Sequence, residues 1–222
     1  NAFFLNAQPQ YFLTEKWLIG VAFSMRWEKL IGNSVFPEQT RGVEPYFIWG
    51  IGGVVSYDSR DNLFYPTKGV FFKTAFHYYE PYLGSSFRMG QFSAEFRQFV
   101  TLYKEFVFAW QAKTEMVFGE VPFQLLPTFG GCDNMRGFPN GRWRDDMSIM
   151  LQAEFRLPIW RRLKAAVFGS IGDVYNWKDW NFVVPKIAYG AGLRLDVARQ
   201  NYDDWKNFRK GWGFYFTASE AF

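Results

Sequence analysis

The sequence predicts an all-β fold, an antiparallel up-and-down β-barrel that spans a membrane. Three observations support this prediction: long segments of alternating apolar and polar residues, a very high aromatic content, and links of very unequal length between segments. Aromatic residues make up 22% of the 222 residues, more than a soluble core needs, whereas membrane barrels carry aromatic girdles at both interfaces. No run of 18 or more consecutive apolar residues occurs, so the sequence excludes a transmembrane helix.

The alternation is clearest between Trp17 and Glu28, where odd positions are apolar and even positions are mostly small or polar. Successive side chains of a strand point to opposite faces, so each such segment has one apolar and one polar face. Ten segments follow this pattern, at residues 3–11, 17–28, 47–57, 72–78, 91–97, 106–118, 147–159, 168–175, 187–197 and 212–222. The longest run roughly 12–13 residues, enough for a tilted strand to cross ~30 Å of hydrocarbon. A soluble β-sandwich or lipocalin-like barrel is the alternative, but its strands are usually only ~5–6 residues long.

The links between segments indicate which end of the barrel is which. Short links at 13–16 and 160–162 alternate with long ones at 29–46, 119–145 and 175–186. Membrane barrels have short periplasmic turns and long extracellular loops. The turn 58–69 is an exception, because it is long although it lies at the end of the barrel that carries the short links. Ten strands counted directly do not place both chain ends in the periplasm. We therefore expect about twelve, with one strand before Asn1 and one more between Ile187 and Phe222, in a single barrel domain spanning residues 1–222.

Composition and motifs exclude several classes of function. The net charge of +4 comes from scattered residues, so we expect no nucleic-acid partner. His77 is the only histidine and Cys132 the only cysteine, so zinc-ligand spacing is absent. Ser56 and Ser93 lie on the strands that flank His77, but no pattern marks either one as a nucleophile. We expect a protein that is not an enzyme and has no cofactor and no metal.

Four motifs carry a family resemblance. In chain order, residues 57–69 read YDSRDNLFYPTKG, residues 130–138 read GGCDNMRGF, residues 154–156 read EFR, and residues 168–175 read FGSIGDVY. With the aromatic terminal Phe222, these motifs resemble the BamA/TamA superfamily of outer-membrane barrels, also called the bacterial surface antigen family. The positions that carry the turn motif are Asp58, Arg60, Asp61, Asn62, Pro66 and Gly69. The resemblance extends over nearly the whole chain.

The resemblance implies that residues 119–145, the lid loop, fold back into the lumen. There Arg136 would meet Glu154, which the alternation independently places on the inner face. Asp173 is a second candidate partner, because Ser170 stands where many relatives have an acid. Gly137 would permit a tight turn or a positive φ, and Phe138 would wedge against the wall. Whether Arg136 only stabilises the barrel or also has a dynamic role stays open. Phe222 would be the C-terminal signal that assembly machinery reads.

The same resemblance implies a role in the bacterial outer membrane, in inserting outer-membrane proteins or translocating protein or lipid. Implied partners are membrane lipids, unfolded outer-membrane proteins and periplasmic accessory proteins. The alternative is a small plugged barrel with a structural, lipid-interacting or passive-channel role and no insertase activity. The sequence shows no POTRA repeats, which favours this alternative, unless the chain is the barrel part of a longer protein.

Overall fold

The computed structural model describes residues 2–30, 40–131, 135–139, 141–160, 163–177 and 185–195. The strands are β1 (Ala2–Ala7), β2 (Gln10–Phe12), β3 (Trp17–Glu28), β4 (Tyr46–Asp58), β5 (Gly69–Tyr79), β6 (Met89–Tyr103), β7 (Phe106–Gly119), β8 (Thr128–Phe129), β9 (Trp143–Arg144), β10 (Met147–Trp160), β11 (Leu163–Tyr175) and β12 (Lys186–Leu195). Single 3-10 turns occur at Pro81–Leu83 and Phe123–Leu125. None of the described residues form a helix that is long and apolar enough to cross a bilayer.

Within the described residues, the main sheet has ten strands that follow one another along the chain. Their order is β1-β3-β4-β5-β6-β7-β10-β11-β12, with β2 also paired to β3, and every pairing is antiparallel. Strands β8 and β9 form a separate two-stranded sheet inside the lid loop. The all-β up-and-down prediction is therefore confirmed. Because consecutive strands run in opposite directions, the links 13–16, 59–68 and 104–105 share one end of the sheet.

The two faces of the sheet differ as the alternation predicts. Register pairs such as Phe23 with Ile51 place apolar side chains opposite one another, while Ala22 faces Gly52 on the other surface. Many large apolar side chains on the first surface are exposed, including Trp17, Ile19, Phe23, Phe76, Phe118, Leu151, Phe155, Val167 and Ile171. Removing their exposed apolar area from water is favourable by roughly 25 cal/mol per Å². This surface therefore suits contact with hydrocarbon, and the opposite surface is the inner wall.

The inner wall carries paired charges. Glu95 on β6 faces Lys113 on β7 across the sheet and also pairs with Arg97. The Gln111 amide donates a hydrogen bond to the same carboxylate over 2.7 Å, and Lys113 lies 2.9 Å from Glu115. Such cross-strand and same-strand partners satisfy charges that are withdrawn from bulk water.

The first predicted strand is wrong in one respect, because it is broken into β1 and β2. Both pieces pair with β3 in one continuous register, and the break lies at residues 8–9. Pro9 has no N–H to donate to the ladder, although its carbonyl oxygen still accepts a hydrogen bond from Val21 over 3.2 Å. The predicted last segment, 212–222, and the two further strands of the twelve-strand count lie outside the described residues and stay predictions.

Candidate functional site: the lid loop and the inner wall

The lid loop packs into an apolar cluster on the inner wall. Phe129, Met135 and Met150 are nearly inaccessible to solvent, with exposures of 1%, 0% and 4%. Phe138, Trp143, Val174 and Ala188 pack around these three side chains as partly buried neighbours. Met150, Val174 and Ala188 belong to β10, β11 and β12, so the loop covers three adjacent strands of the wall.

Aromatic rings hold the two arms of the lid loop together. Phe138 meets Trp143 edge to face at a centroid distance of 5.4 Å. Phe129 lies 6.0 Å from Phe138 and 6.2 Å from Trp143, within the range of favourable aromatic pairs. Phe138, which we expected to wedge against the wall, thus packs on rings of its own loop within the same cluster.

Backbone turns with positive φ let the loop fold back tightly. Gly130 has a φ of 100° and Gly137 a φ of 95°, a region that side chains disfavour. A Cβ on Gly130 would lie 2.3 Å from the carbonyl oxygen of Pro139, so the two arms approach more closely there than any other residue type permits. The Gly131 amide donates to the carbonyl oxygen of Phe138 over 2.9 Å, which closes the turn around Arg136.

Arg136 and Glu154 form the central polar contact of the site. Nη2 of Arg136 lies 3.0 Å from Oε2 of Glu154, and the two side chains are 21% and 5% exposed. The Arg136 guanidinium also lies 4.6 Å above the ring of Phe168, which faces Glu154 across the β10–β11 pair. Glu154 receives a second cation, since Nε of Arg156 donates to its Oε1 over 2.8 Å. One buried carboxylate therefore holds two guanidinium groups.

Asp173 reaches the lid loop by a different route. Its carboxylate pairs with Lys186 of β12, and the Lys186 ammonium lies 4.9 Å from the ring centre of Trp143. The structure therefore places Asp173 beside Lys186, while Arg136 pairs with Glu154. Ser170 is buried on the inner wall opposite Gln152.

The turn 58–69 is folded by the residues that carry the resemblance. Arg60 pairs with Asp58 at 2.7 Å, and the Asn62 side chain accepts hydrogen bonds from the amides of Phe64 and Tyr65. Gly69 has a φ of 110°, and a Cβ there would lie 2.3 Å from the carbonyl oxygen of Ser59. These local bonds are typical of a structured turn.

Asp61 is the main hydrogen-bond acceptor within this turn. Desolvation alone would raise its pKa, but hydrogen bonds from the Thr67 hydroxyl and from the amides of Thr67 and Lys68 outweigh it and hold the pKa of Asp61 below its ordinary value. The turn is therefore stabilised by the ionised carboxylate.

The far side of the same turn meets the inner wall, which sequence reasoning missed. Nη1 of Arg156 donates to the carbonyl oxygen of Pro66 over 3.1 Å. The ring of Tyr65 lies 5.1 Å from the Arg156 guanidinium and 3.9 Å from the Lys164 ammonium. Arg156 is two residues from Glu154 and so shares its face of the strand, but the sequence gave no sign that a turn 90 residues upstream would reach the same side chain.

Three further residues that the sequence singled out are His77, Cys132 and Phe222. His77 is half-buried on the inner wall, packed on Tyr79 at 6.4 Å. Cys132 and Phe222 lie outside the described residues. Among the residues that the structure describes, no group of three or more His, Cys, Asp or Glu side chains could hold a metal ion.

A polar inner wall, an apolar outer face and a loop packed on the inner wall define a transmembrane β-barrel fold with an internal lid. A family model of the Omp85 superfamily domain matches residues 5–202. The chain belongs to the Omp85 superfamily, which confirms the suspected BamA/TamA-type barrel.

Solved structures show the same fold. Among them is the crystal structure of BamA from Haemophilus ducreyi lacking POTRA domains 1-3, with a TM-score of 0.70 and 16% sequence identity. The match covers 87% of this chain and 48% of that chain, so this chain spans about half the length of that one. No curated protein sequence matches this chain.

Proposed function

We propose that this barrel acts in the bacterial outer membrane and assists the insertion of other outer-membrane proteins. The observation that carries the proposal is the lid loop held against the inner wall by the buried pair of Arg136 and Glu154. Membership of the Omp85 superfamily supports the same role. The proposed partners are membrane lipids along the apolar outer face, unfolded outer-membrane proteins and periplasmic accessory proteins.

The contacts on the inner wall favour a function in which the substrate meets the strands of the barrel wall over one in which the substrate passes through the lumen. The lid loop covers β10, β11 and β12, and the turn 58–69 reaches Arg156 on the same wall. A substrate that threaded the lumen would have to displace both segments together with their buried contacts. A substrate strand that pairs with a strand edge needs neither displacement, because backbone N–H and C=O groups supply the recognition.

The ion pair between Arg136 and Glu154 would act as a lock, because it holds the lid loop on the inner wall and so keeps this wall in one arrangement. The 3.0 Å approach of the Arg136 guanidinium to Oε2 of Glu154 is an ion pair, and the attraction between two charges is strong where water is largely excluded. Because Glu154 is only 5% exposed, removal of Arg136 would leave the carboxylate with less compensation in a medium of low dielectric constant. The lid loop would then detach more readily from β10–β12, and the wall would lose its support.

The test is an insertion assay with the full-length protein in phosphatidylethanolamine and phosphatidylglycerol vesicles. A urea-unfolded outer-membrane barrel is added, and its folding is followed by heat-modifiable migration on gels. We expect faster folding than in empty vesicles and a clear slowing with Arg136→Ala. The matched control is Arg88→Ala, because Arg88 forms an exposed side-chain pair with Glu80 at 2.8 Å outside the lid loop. Folding no faster than in empty vesicles would contradict the proposal.

The second candidate is a plugged barrel with a structural, lipid-interacting or passive-channel role, favoured by the two segments that occupy the inner wall. Ion conductance across a planar bilayer tests its channel form. Conductance that rises with Arg136→Ala, together with no insertion activity, would favour a gated channel. Neither conductance nor insertion would favour a structural or lipid-interacting role.

A further inference from the structure

We propose that Arg156 is a positioning residue that couples the turn 58–69 to the lid loop through Glu154. The lid loop is then locked only while the turn is seated against the wall. This inference deepens the proposed function and rests on it for its biological consequence, because it names what controls the lid. The coupling itself is a property of three contacting segments, the turn 58–69, β10 and the lid loop, and can be tested separately.

Arg156 holds two partners that come from different parts of the chain. Its Nε donates to Oε1 of Glu154 over 2.8 Å, and its Nη1 donates to the carbonyl oxygen of Pro66 over 3.1 Å. The guanidinium is planar and its donors are fixed relative to one another. The position of the turn therefore determines the orientation that Arg156 presents to Glu154.

Aromatic rings complete the seat of the turn. The Arg156 guanidinium lies 5.1 Å from the ring of Tyr65 in the turn and 5.5 Å from Phe99 on β6. Lys164 on β11 approaches Tyr65 to 3.9 Å. Arg156 is only 4% exposed, and such cation–π contacts are strengthened when the cation is desolvated. Tyr65 is thus the side chain of the turn that packs against the cations of the inner wall.

The lid loop and the turn 58–69 both depend on the carboxylate of Glu154, the lid loop through Arg136 and the turn through Arg156. Arg136 of the lid loop lies on Oε2 and Arg156 lies on Oε1 of the same carboxylate. Without Pro66 and Tyr65, the fork of Arg156 would lose its second set of partners and would turn to take both carboxylate oxygens, the preferred bidentate geometry. Arg136 would then lose its site. A seated turn keeps Oε2 available for the lid loop.

The turn can leave the wall as a unit because its own bonds hold it together. The Asp61 carboxylate accepts hydrogen bonds from the amides of Thr67 and Lys68. The Asn62 side chain accepts hydrogen bonds from the amides of Phe64 and Tyr65. None of these bonds involves the inner wall. Two arrangements, seated and released, are therefore accessible without unfolding the turn, which is what coupling between two segments requires.

The experiment measures the lid loop while the turn is changed. The full-length protein in vesicles carries Cys132→Ser and Met135→Cys, because Met135 of the lid loop is 0% exposed while the loop lies on the wall. Reaction with a membrane-impermeant maleimide reports lid release. We expect Tyr65→Ala to raise the labelling rate about fivefold or more. Arg156→Lys should stay near the wild-type rate and should abolish the response to Tyr65→Ala, since Lys has no fork that could take both carboxylate oxygens from Arg136. Phe64→Ala is the matched control, a neighbour in the turn that is 87% exposed.

A double-mutant cycle separates coupling from general loosening. If Tyr65 acts through Glu154, adding Tyr65→Ala to Arg136→Ala raises labelling little further, because the lock is already lost. Additive effects, or an unchanged labelling rate in a folded Tyr65→Ala protein, would overturn the proposal. Failure of the insertion assay alone would remove the proposed function and leave the coupling intact, since labelling needs no substrate.

Discussion

Phe129 of the lid loop lies directly against the backbone of Gly172, where the inner wall has no side chain. A Cβ built on Gly172 would lie 2.8 Å from the Phe129 ring and 2.4 Å from the carbonyl oxygen of Ile149. Gly172 faces Met150 across the β10–β11 pair, so the gap is part of the apolar cluster that receives the lid loop. Close packing of this kind tolerates little added volume.

Gly172→Ala should therefore push the lid loop off the wall. We expect a loss of about 1–3 kcal/mol in stability and faster proteolysis of residues 119–145 in vesicles. Gly169→Ala is the control, because a Cβ at Gly169 on the same strand has nothing within 4 Å. Equal protease protection in the two variants would show that Phe129 does not depend on the gap.

Arg136→Ala should weaken the lid lock without preventing folding. Glu154 keeps Arg156 as a partner, so we expect a cost of roughly 1–3 kcal/mol, as for other buried groups that lose one partner. The measurements are the temperature at which heat-modifiable migration is lost and the rate at which protease cuts the lid loop. If both stay at the wild-type values, Arg136 does not pin the loop.

Val167→Arg tests the lipid-facing surface. Val167 is 49% exposed, lies near the middle of β11 and faces Phe155 across the β10–β11 pair. An arginine on the lipid face near the bilayer midplane costs about 2–4 kcal/mol, which urea unfolding of the vesicle-embedded protein would register. Val167→Ile keeps the apolar character and should leave stability unchanged within error. A tolerated arginine would contradict the assignment of the outer face.

The turn 58–69 should lose protection in acid because of Asp61. Its pKa is held below the ordinary value of 3.8 by hydrogen bonds to the ionised carboxylate. The stabilisation that the ionised Asp61 carboxylate gives the turn is complete at pH values above 3.8. It is lost as the pH falls through the lowered pKa of Asp61 in the folded state. Amide hydrogen exchange at Thr67 and Lys68, corrected for intrinsic rates, should rise between about pH 5 and pH 2.

The matched variant for this effect is Asp61→Asn, which removes the titrating group. Its amides should exchange faster than those of wild type at neutral pH and should show no change over the same acid range. A wild-type turn whose corrected exchange is independent of pH would show that Asp61 does not stabilise it.

Cysteine labelling in intact cells tests which end faces outward. Tyr82 and Phe64 are exposed residues at opposite ends of the sheet, at 90% and 87%. In a Cys132→Ser background, an impermeant maleimide should label Tyr82→Cys in intact cells. Phe64→Cys should react only after the outer membrane is permeabilised. The reverse pattern would invert the orientation inferred from loop lengths.

The sequence was sufficient to predict the sheet and its two faces. Period-two alternation is a local property that survives in any strand, so Trp17 to Glu28 could be assigned before any partner was known. The break at Pro9 was also available in principle, because proline cannot donate to the ladder. It was missed since the alternation on either side stays in phase.

The residue pattern also placed Glu154 on the inner face, and the family resemblance supplied Arg136 as its partner. Only the tertiary structure determined the remaining contacts. Arg156 could have faced any polar group in the lumen, and its bond to the carbonyl oxygen of Pro66 joins positions 90 residues apart. Asp173 could equally have met Arg136, but the strand pairing brings Lys186 beside it. Strand faces follow from local backbone geometry, whereas contacts across the lumen depend on how the turn and the lid loop fold back onto the wall, which no local pattern encodes.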